Sequence, residues 1–146
     1  MSITKRRTTA SPQDVWNVVA DGWTFSSWVV GASRLRAVNA AWPAVGSRLH
    51  HSVGTWPALM DDHTEVLECE PGRRIVMQAR IRPVGEASVE LVLEPDGSGT
   101  LMRITEDFTR GPATLAPKAA RDAGLHVRNV ETLKRLAFLA ERRQEP

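Results

Sequence analysis

The sequence predicts an α+β fold in which a curved antiparallel sheet wraps around one long C-terminal helix, with two short helices after the first strand. Three observations lead there. A helix-start signature directly follows a short strand near the N-terminus; short runs rich in β-branched residues, separated by turn residues, fill positions 34–108; and a long stretch of helix-forming composition closes the chain. A sheet with one apolar face needs a cover, and the last helix is the only element long enough to provide it.

Residues 3–9 read as a short polar edge strand. Ser11 then offers a hydroxyl N-cap, Pro12 stands at the first helical position, where no backbone donor is lost, and Asp14 stands at the third, where its charge suits the helix dipole. Val15, Trp16, Val18 and Val19 supply the buried side of this helix, and Asp21 and Gly22 close it. Residues 23–30 carry Trp23, Phe25 and Trp28 between small polar residues, which reads as a second short helix ended by Gly31.

Turn chemistry at Trp42-Pro43, Gly54, Pro71-Gly72, 83–85 and 95–99 divides the following region into strands. The clearest is 75–82, where Ile75, Met77, Ala79 and Ile81 alternate with Val76, Gln78, Arg80 and Arg82. Next comes a hairpin of 87–94 and 100–108. The last helix begins between Thr114 and Pro117 and runs to about Arg143, with a basic end that suits its dipole.

At 146 residues the chain buries roughly two thirds of its unfolded surface, and 42% apolar with 25% charged residues excludes wholesale disorder. One domain over residues 1–146 is expected, since no repeat, low-complexity tract or linker divides it. Cys69 is the single cysteine, so no internal disulfide forms. Leu67 two positions before it suggests a buried thiol, and a cytoplasmic location fits. Lys5, Arg6 and Arg7 lead into Thr8, Thr9 and Ala10 rather than an apolar core, so no secretory signal is expected. No run approaches the roughly 18 apolar residues of a spanning helix, so the protein is not expected to be integral to a membrane. Lys plus Arg number 19 against 17 Asp plus Glu, and the basic residues are scattered, which argues against nucleic acid.

The order Ala10-Ser11-Pro12 with Val15-Trp16, Ala20-Asp21 before an aromatic segment ending at Trp28, Gly46-Ser47, Glu65-Val66, Glu68, Glu70-Pro71, Arg73-Arg74-Ile75, Glu94-Pro95 with Gly97, Gly99 and Thr100, and the Leu133/Leu136 spacing resembles the START-like or SRPBCC superfamily over nearly the whole chain. That superfamily includes polyketide cyclase/dehydrase-like and plant pollen allergen-like proteins. The resemblance implies a helix-grip fold with a ligand cavity between sheet and C-terminal helix. It does not identify a substrate, because the fold serves lipid carriers, hormone binders and cyclases alike. The segment Gly54-Thr55-Trp56-Pro57 is short, so no large lid is expected.

On a wheel of roughly 100° per residue, Ala119, Ala123, His126, Val130, Leu133, Ala137 and Ala140 share one face of the last helix. Asp122 and Asn129 lie close to it, and Arg121, Arg128, Arg135 and Arg142 lie opposite. An inward Asp122–His126 pair would suit proton transfer or a ligand hydroxyl; His126 bonded within a core is the plainer reading. Alternation puts Glu106 on one face with Thr100, Met102, Ile104 and Phe108, as a general acid or polar anchor, or else at a strand end facing solvent. His51 shares its face with Leu49 and Val53, and His50 points the other way. Asp61, Asp62 and His63 diverge as consecutive strand residues, so no metal site is expected. Trp42 and Trp56 lie in turns, as packing residues or as covers of a cavity mouth. No catalytic-serine, P-loop or dinucleotide motif is present, and no cofactor is expected.

The sequence therefore points to binding, or transport, of a small hydrophobic molecule such as a lipid or polyketide. The expected lining is His51, Trp56, Met77, Ala79, Leu91, Met102, Ile104, Glu106, His126, Asn129 and Val130. Two other readings stay open: a cyclase or dehydratase using Asp122, His126 or Glu106, and an interaction module with a vestigial cavity. A homodimer also stays open.

Overall fold

The computed structural model describes residues 1–53, 60–81 and 83–143. Strand β1 (Ser2–Thr8) is followed by helix α1 (Pro12–Ala20), a 3₁₀ turn at Gly22–Thr24 and the one-turn helix α2 (Phe25–Trp28). Six strands come next: β2 (Ala32–Val38), β3 (Arg48–Val53), β4 (Met60–Glu70), β5 (Arg74–Ile81), β6 (Gly85–Asp96) and β7 (Gly99–Arg110). A 3₁₀ turn at Pro112–Leu115 leads into helix α3 (Lys118–Arg142). The seven strands form one sheet in the order β1-β7-β6-β5-β4-β3-β2, antiparallel at every pairing, so β1 and β2 are its edges.

Local chemistry accounts for the entry into α1. The Ser11 hydroxyl accepts the Asp14 N–H at 3.1 Å, with Pro12 in the first turn. Thr100 on β7 donates its hydroxyl to the Ala10 carbonyl at 2.8 Å, tying the start of the helix to the sheet. Val15, Trp16, Val18 and Val19 are buried, as the pattern predicts. They join Leu133, Leu136, Ala137 and Ala140 of α3 and the sheet residues Ile75, Leu91, Leu93 and Met102 in one core. Burying each such aliphatic chain contributes roughly 1.5–3 kcal/mol before entropy is counted.

Two glycines fix the other end of the sheet, where the cavities lie. Gly85 (φ 137°) and Gly111 (φ 91°) back onto each other, and a Cβ on Gly85 would stand 2.0 Å from the Arg110 carbonyl oxygen. The Ala113 N–H then donates to the Val84 carbonyl at 3.0 Å, so the chain leaving β7 is pinned before α3 starts.

The expectation of a buried Cys69 thiol on β4 is met in part. Register slips between Val66 and Glu68, and the bulge leaves Leu67 45% exposed while Cys69 is half-buried against the core. Burial pushes the Cys69 thiol above its ordinary range.

Candidate functional site

Register determines which side chains face α3. Ala79 pairs with Thr64 on one side and Ala87 on the other, and Glu106 lies between Ser2 of β1 and Val89 of β6. Toward the first half of α3 this inner face is not filled. A cavity of about 190 Å³ lies between the α2–β2 segment and the sheet, lined by Phe25, Val29, Val30, Gly31, Ala32, His51, Thr64, Ala79, Ile81 and Arg128. An adjoining groove of about 410 Å³ shares Ile81 and Arg128 and continues along Val84, Phe108, Ala113, Ala116, Ala120, Arg121, Gly124 and Leu125. The Val30 N–H donates to the Thr132 hydroxyl at 3.3 Å, which holds the cavity wall against α3.

Few polar groups interrupt this apolar lining. His51 is 3% exposed, its Nε2 stands 2.9 Å from the Thr64 hydroxyl, and its ring stacks on Phe25 at a centroid distance of 5.8 Å. Burial lowers its pKa to about 4 against the pull of Asp62, so the imidazole is neutral near pH 7. Its Nδ1 is buried with no hydrogen-bond partner. Across the interior, Glu106 is 1% exposed. Asn129 Nδ2 donates to its Oε2 at 3.4 Å, and Arg128 Nη1 lies 3.4 Å from Oε1. That second contact has an ion-pair separation without hydrogen-bond alignment, so Glu106 Oε1 and Arg128 Nε both remain buried and unsatisfied. Burial pushes the Glu106 carboxyl above its usual range, and Arg128 and Asn129 only partly oppose it.

The model of polyketide cyclase/dehydrase and lipid transport proteins matches residues 2–137. The chain belongs to that family. Among solved structures it is similar to protein NE0264 from Nitrosomonas europaea, at TM-score 0.75 and 18% identity over 99% of this chain and 96% of that one. It is also similar to the di-domain ARO/CYC StfQ from the steffimycin biosynthetic pathway, at TM-score 0.73 and 14% identity over 97% of this chain and 50% of that one. The third, Ara h 8.0201, has TM-score 0.68 and 10% identity over 94% and 95%. These likenesses establish a helix-grip fold for this family member. No curated protein matches the sequence.

Within this polyketide cyclase-like frame, His51 and Ala79 line the cavity, and Glu106 and Asn129 are buried beside it. The solvent-facing reading of Glu106 is overturned. Met77, Leu91, Met102 and Ile104 face inward but are packed in the core, and these four, like Glu106 and Asn129, line neither cavity, against expectation. Trp56 lies outside the described residues. Trp42 is a packing residue, its Nε1 donating to the Val19 carbonyl at 3.2 Å.

The expected phase of the last helix is wrong in its first half. His126 is exposed, with Nδ1 2.9 Å from the Thr4 hydroxyl on edge strand β1, and Val130 is 44% exposed. Ala119 and Ala123 are exposed as well. Asp122 does not meet His126; it holds the Met1 amino group at 2.8 Å and the Lys118 ammonium. Leu125 and Asn129 face inward instead, one residue away, whereas Leu133, Ala137 and Ala140 are buried as expected. Leu125 and Leu136 mark the inward face here, and Asn129 between them meets the buried Glu106 carboxylate.

Arg128 and Arg121, placed on the outer face by the wheel, belong to the inner side. Arg128 stands three residues from Leu125 and eight from Leu136, so anchoring the phase on the two leucines would have found it. Phe25 and Thr64 had weaker signals, the first inside a one-turn helix and the second one alternation step from Val66.

Proposed function

We propose that this protein binds a small, mostly apolar molecule in the cavity beside α3. The observation that carries the reading is an apolar cavity of about 190 Å³ interrupted by His51, Thr64 and Arg128, adjoining the about 410 Å³ groove at Arg128. Concave apolar sites with a few convergent polar groups are the usual architecture of ligand binding. Membership of a family described by polyketide cyclases, dehydrases and lipid transport supports a hydrophobic ligand. The test is a solvent extract of the purified protein analysed by mass spectrometry, paired with a thermal-shift screen of lipids and aromatic polyketides. A ligand at 100 times its Kd raises stability by about 2.7 kcal/mol. An empty extract together with no shift across the screen would sink the reading.

One observation favours a catalytic version of the same site. Glu106 lies 3.4 Å from Arg128, which lines the cavity, and burial raises its pKa toward the protonated form that a proton donor needs. In that version Glu106→Gln abolishes turnover of an enolisable polyketide while leaving its binding intact. The Asp122–His126 pair contributes nothing to this version, because the two side chains do not meet.

A further inference from the structure

Two guanidiniums face the groove without the partners that such groups ordinarily hold. Arg128 lines both the cavity and the groove, and its Nε is buried with no acceptor. Among the described residues its carboxylate neighbour is Glu106, reached by Nη1 at 3.4 Å and out of hydrogen-bond alignment. Arg121 lies two turns earlier on the same side of α3, and its Nε is likewise buried and unpaired. Among the described residues no carboxylate stands within ion-pair reach of Arg121, whose Nη1 donates only to the Thr114 carbonyl at 3.4 Å. A cation in the first turn of a helix is opposed by the dipole, and α3 has no side-chain cap to offset it. Buried donors left unpaired cost free energy unless something else accepts from them.

The remaining lining limits what that acceptor is. Ile81, Val84, Phe108, Ala113, Ala116, Ala120 and Leu125 make the groove apolar, so its occupant has an apolar body. Among the described residues that line the half-open cavity Arg128 is the one cation, and His51 there is neutral, so one negative charge suffices. Planar guanidinium geometry matches a carboxylate through Nε and Nη together. Burial raises the Glu106 pKa and so favours its neutral form, which lessens its repulsion of an anion beside it.

The geometry points to an amphipathic monocarboxylic acid as the ligand class, its carboxylate on the part of the Arg128 guanidinium that lines the cavity, its apolar body along the groove, and Arg121 adding positive potential at the outer end. This rests on the binding reading above and specifies it.

The test compares decanoate with decanol, equal in chain length and different in charge, by isothermal titration of the full chain. Decanoate is expected to bind about tenfold or more tightly than decanol. Arg128→Met, which keeps an apolar stem, is expected to remove that preference, and Arg128→Lys to restore part of it. Arg121→Met is expected to weaken decanoate less, and most at low salt. Equal binding of the two compounds to the wild type overturns the acid class while leaving the binding reading standing, and so does a preference that survives in Arg128→Met. If neither compound binds, the acid class fails with it, and the mass-spectrometric extract decides separately whether any apolar ligand is held. Should Arg128→Met not fold, the wild-type ratio and Arg128→Lys still decide the matter.

Discussion

Asn129 Nδ2 donates to Glu106 Oε2 across 3.4 Å, joining the middle of α3 to β7 inside the protein. Burial raises the Glu106 pKa from its ordinary 4.5. An acid with a raised folded pKa binds more protons folded than unfolded, so its contribution is most favourable below pH 4.5 and declines as pH climbs through the folded value. Glu106→Gln keeps the volume and an acceptor for Asn129 and removes the titration. Urea unfolding from pH 4.5 to about pH 8 is expected to show the variant gaining on the wild type as pH rises, then levelling. A difference that stays flat would show that this carboxyl is not held protonated.

His51 has the opposite sense. Burial lowers its pKa from 6.5 to about 4, so the unfolded chain binds the extra proton and the folded one does not. Its contribution is complete above pH 6.5 and is lost as pH falls toward 4, by about 3 kcal/mol across that window. His51→Phe, which keeps a ring on Phe25, is expected to shrink the stability difference between those two pH values by about that amount. Independently, the His51 ring-proton shifts in an NMR titration should have their midpoint near 4; a midpoint near 6.5 overturns the assignment.

The rotation of α3 is testable by two neighbouring substitutions. Leu125 is 4% exposed and His126 is exposed. Leu125→Ala is expected to cost about 2–5 kcal/mol, and His126→Ala about 0.5 kcal/mol or less, with no effect on ligand affinity. Equal costs would mean that the helix is turned differently.

The same pair shows where the sequence is legible and where it is not. The Ser11 cap, the Val15/Trp16/Val18/Val19 face and the alternation through Met102, Ile104 and Glu106 are local signals, each read from residues a few positions apart, and each is realised in the structure. The place of Asn129 on the inner side of α3 matches a partner 23 residues away. A periodicity count rewards Val130 and penalises Asn129 and Arg128, because it cannot register that β7 presents a carboxylate to the helix. The sequence implied a cavity and placed His51 and Ala79 on its wall, but its boundaries were not legible, for a related reason. Its walls come from α2, β2, β3, β4, β5 and α3, and a void is a property of how those elements meet rather than of any one pattern.

Ala79 tests the void itself. It lines the cavity with Phe25, His51 and Ile81, whereas its register partner Ala87 is 0% exposed and lines neither cavity. The same substitution at the two sites therefore meets different surroundings. Ala79→Leu places three more carbons into a space of about 190 Å³ and buries apolar surface there, so its stability should stay within about 1 kcal/mol of the wild type or rise. Ala87→Leu forces the same atoms into filled core and should cost about 1–3 kcal/mol. Ligand affinity should behave in reverse: Ala79→Leu lowers it about tenfold or more by occupying the ligand's place, and Ala87→Leu leaves it nearly unchanged if the protein folds. Urea unfolding and titration with whichever compound the extract identifies measure both quantities. Equal destabilisation at the two positions would mean that no void exists beside Ala79, and the binding reading would lose the observation on which it stands.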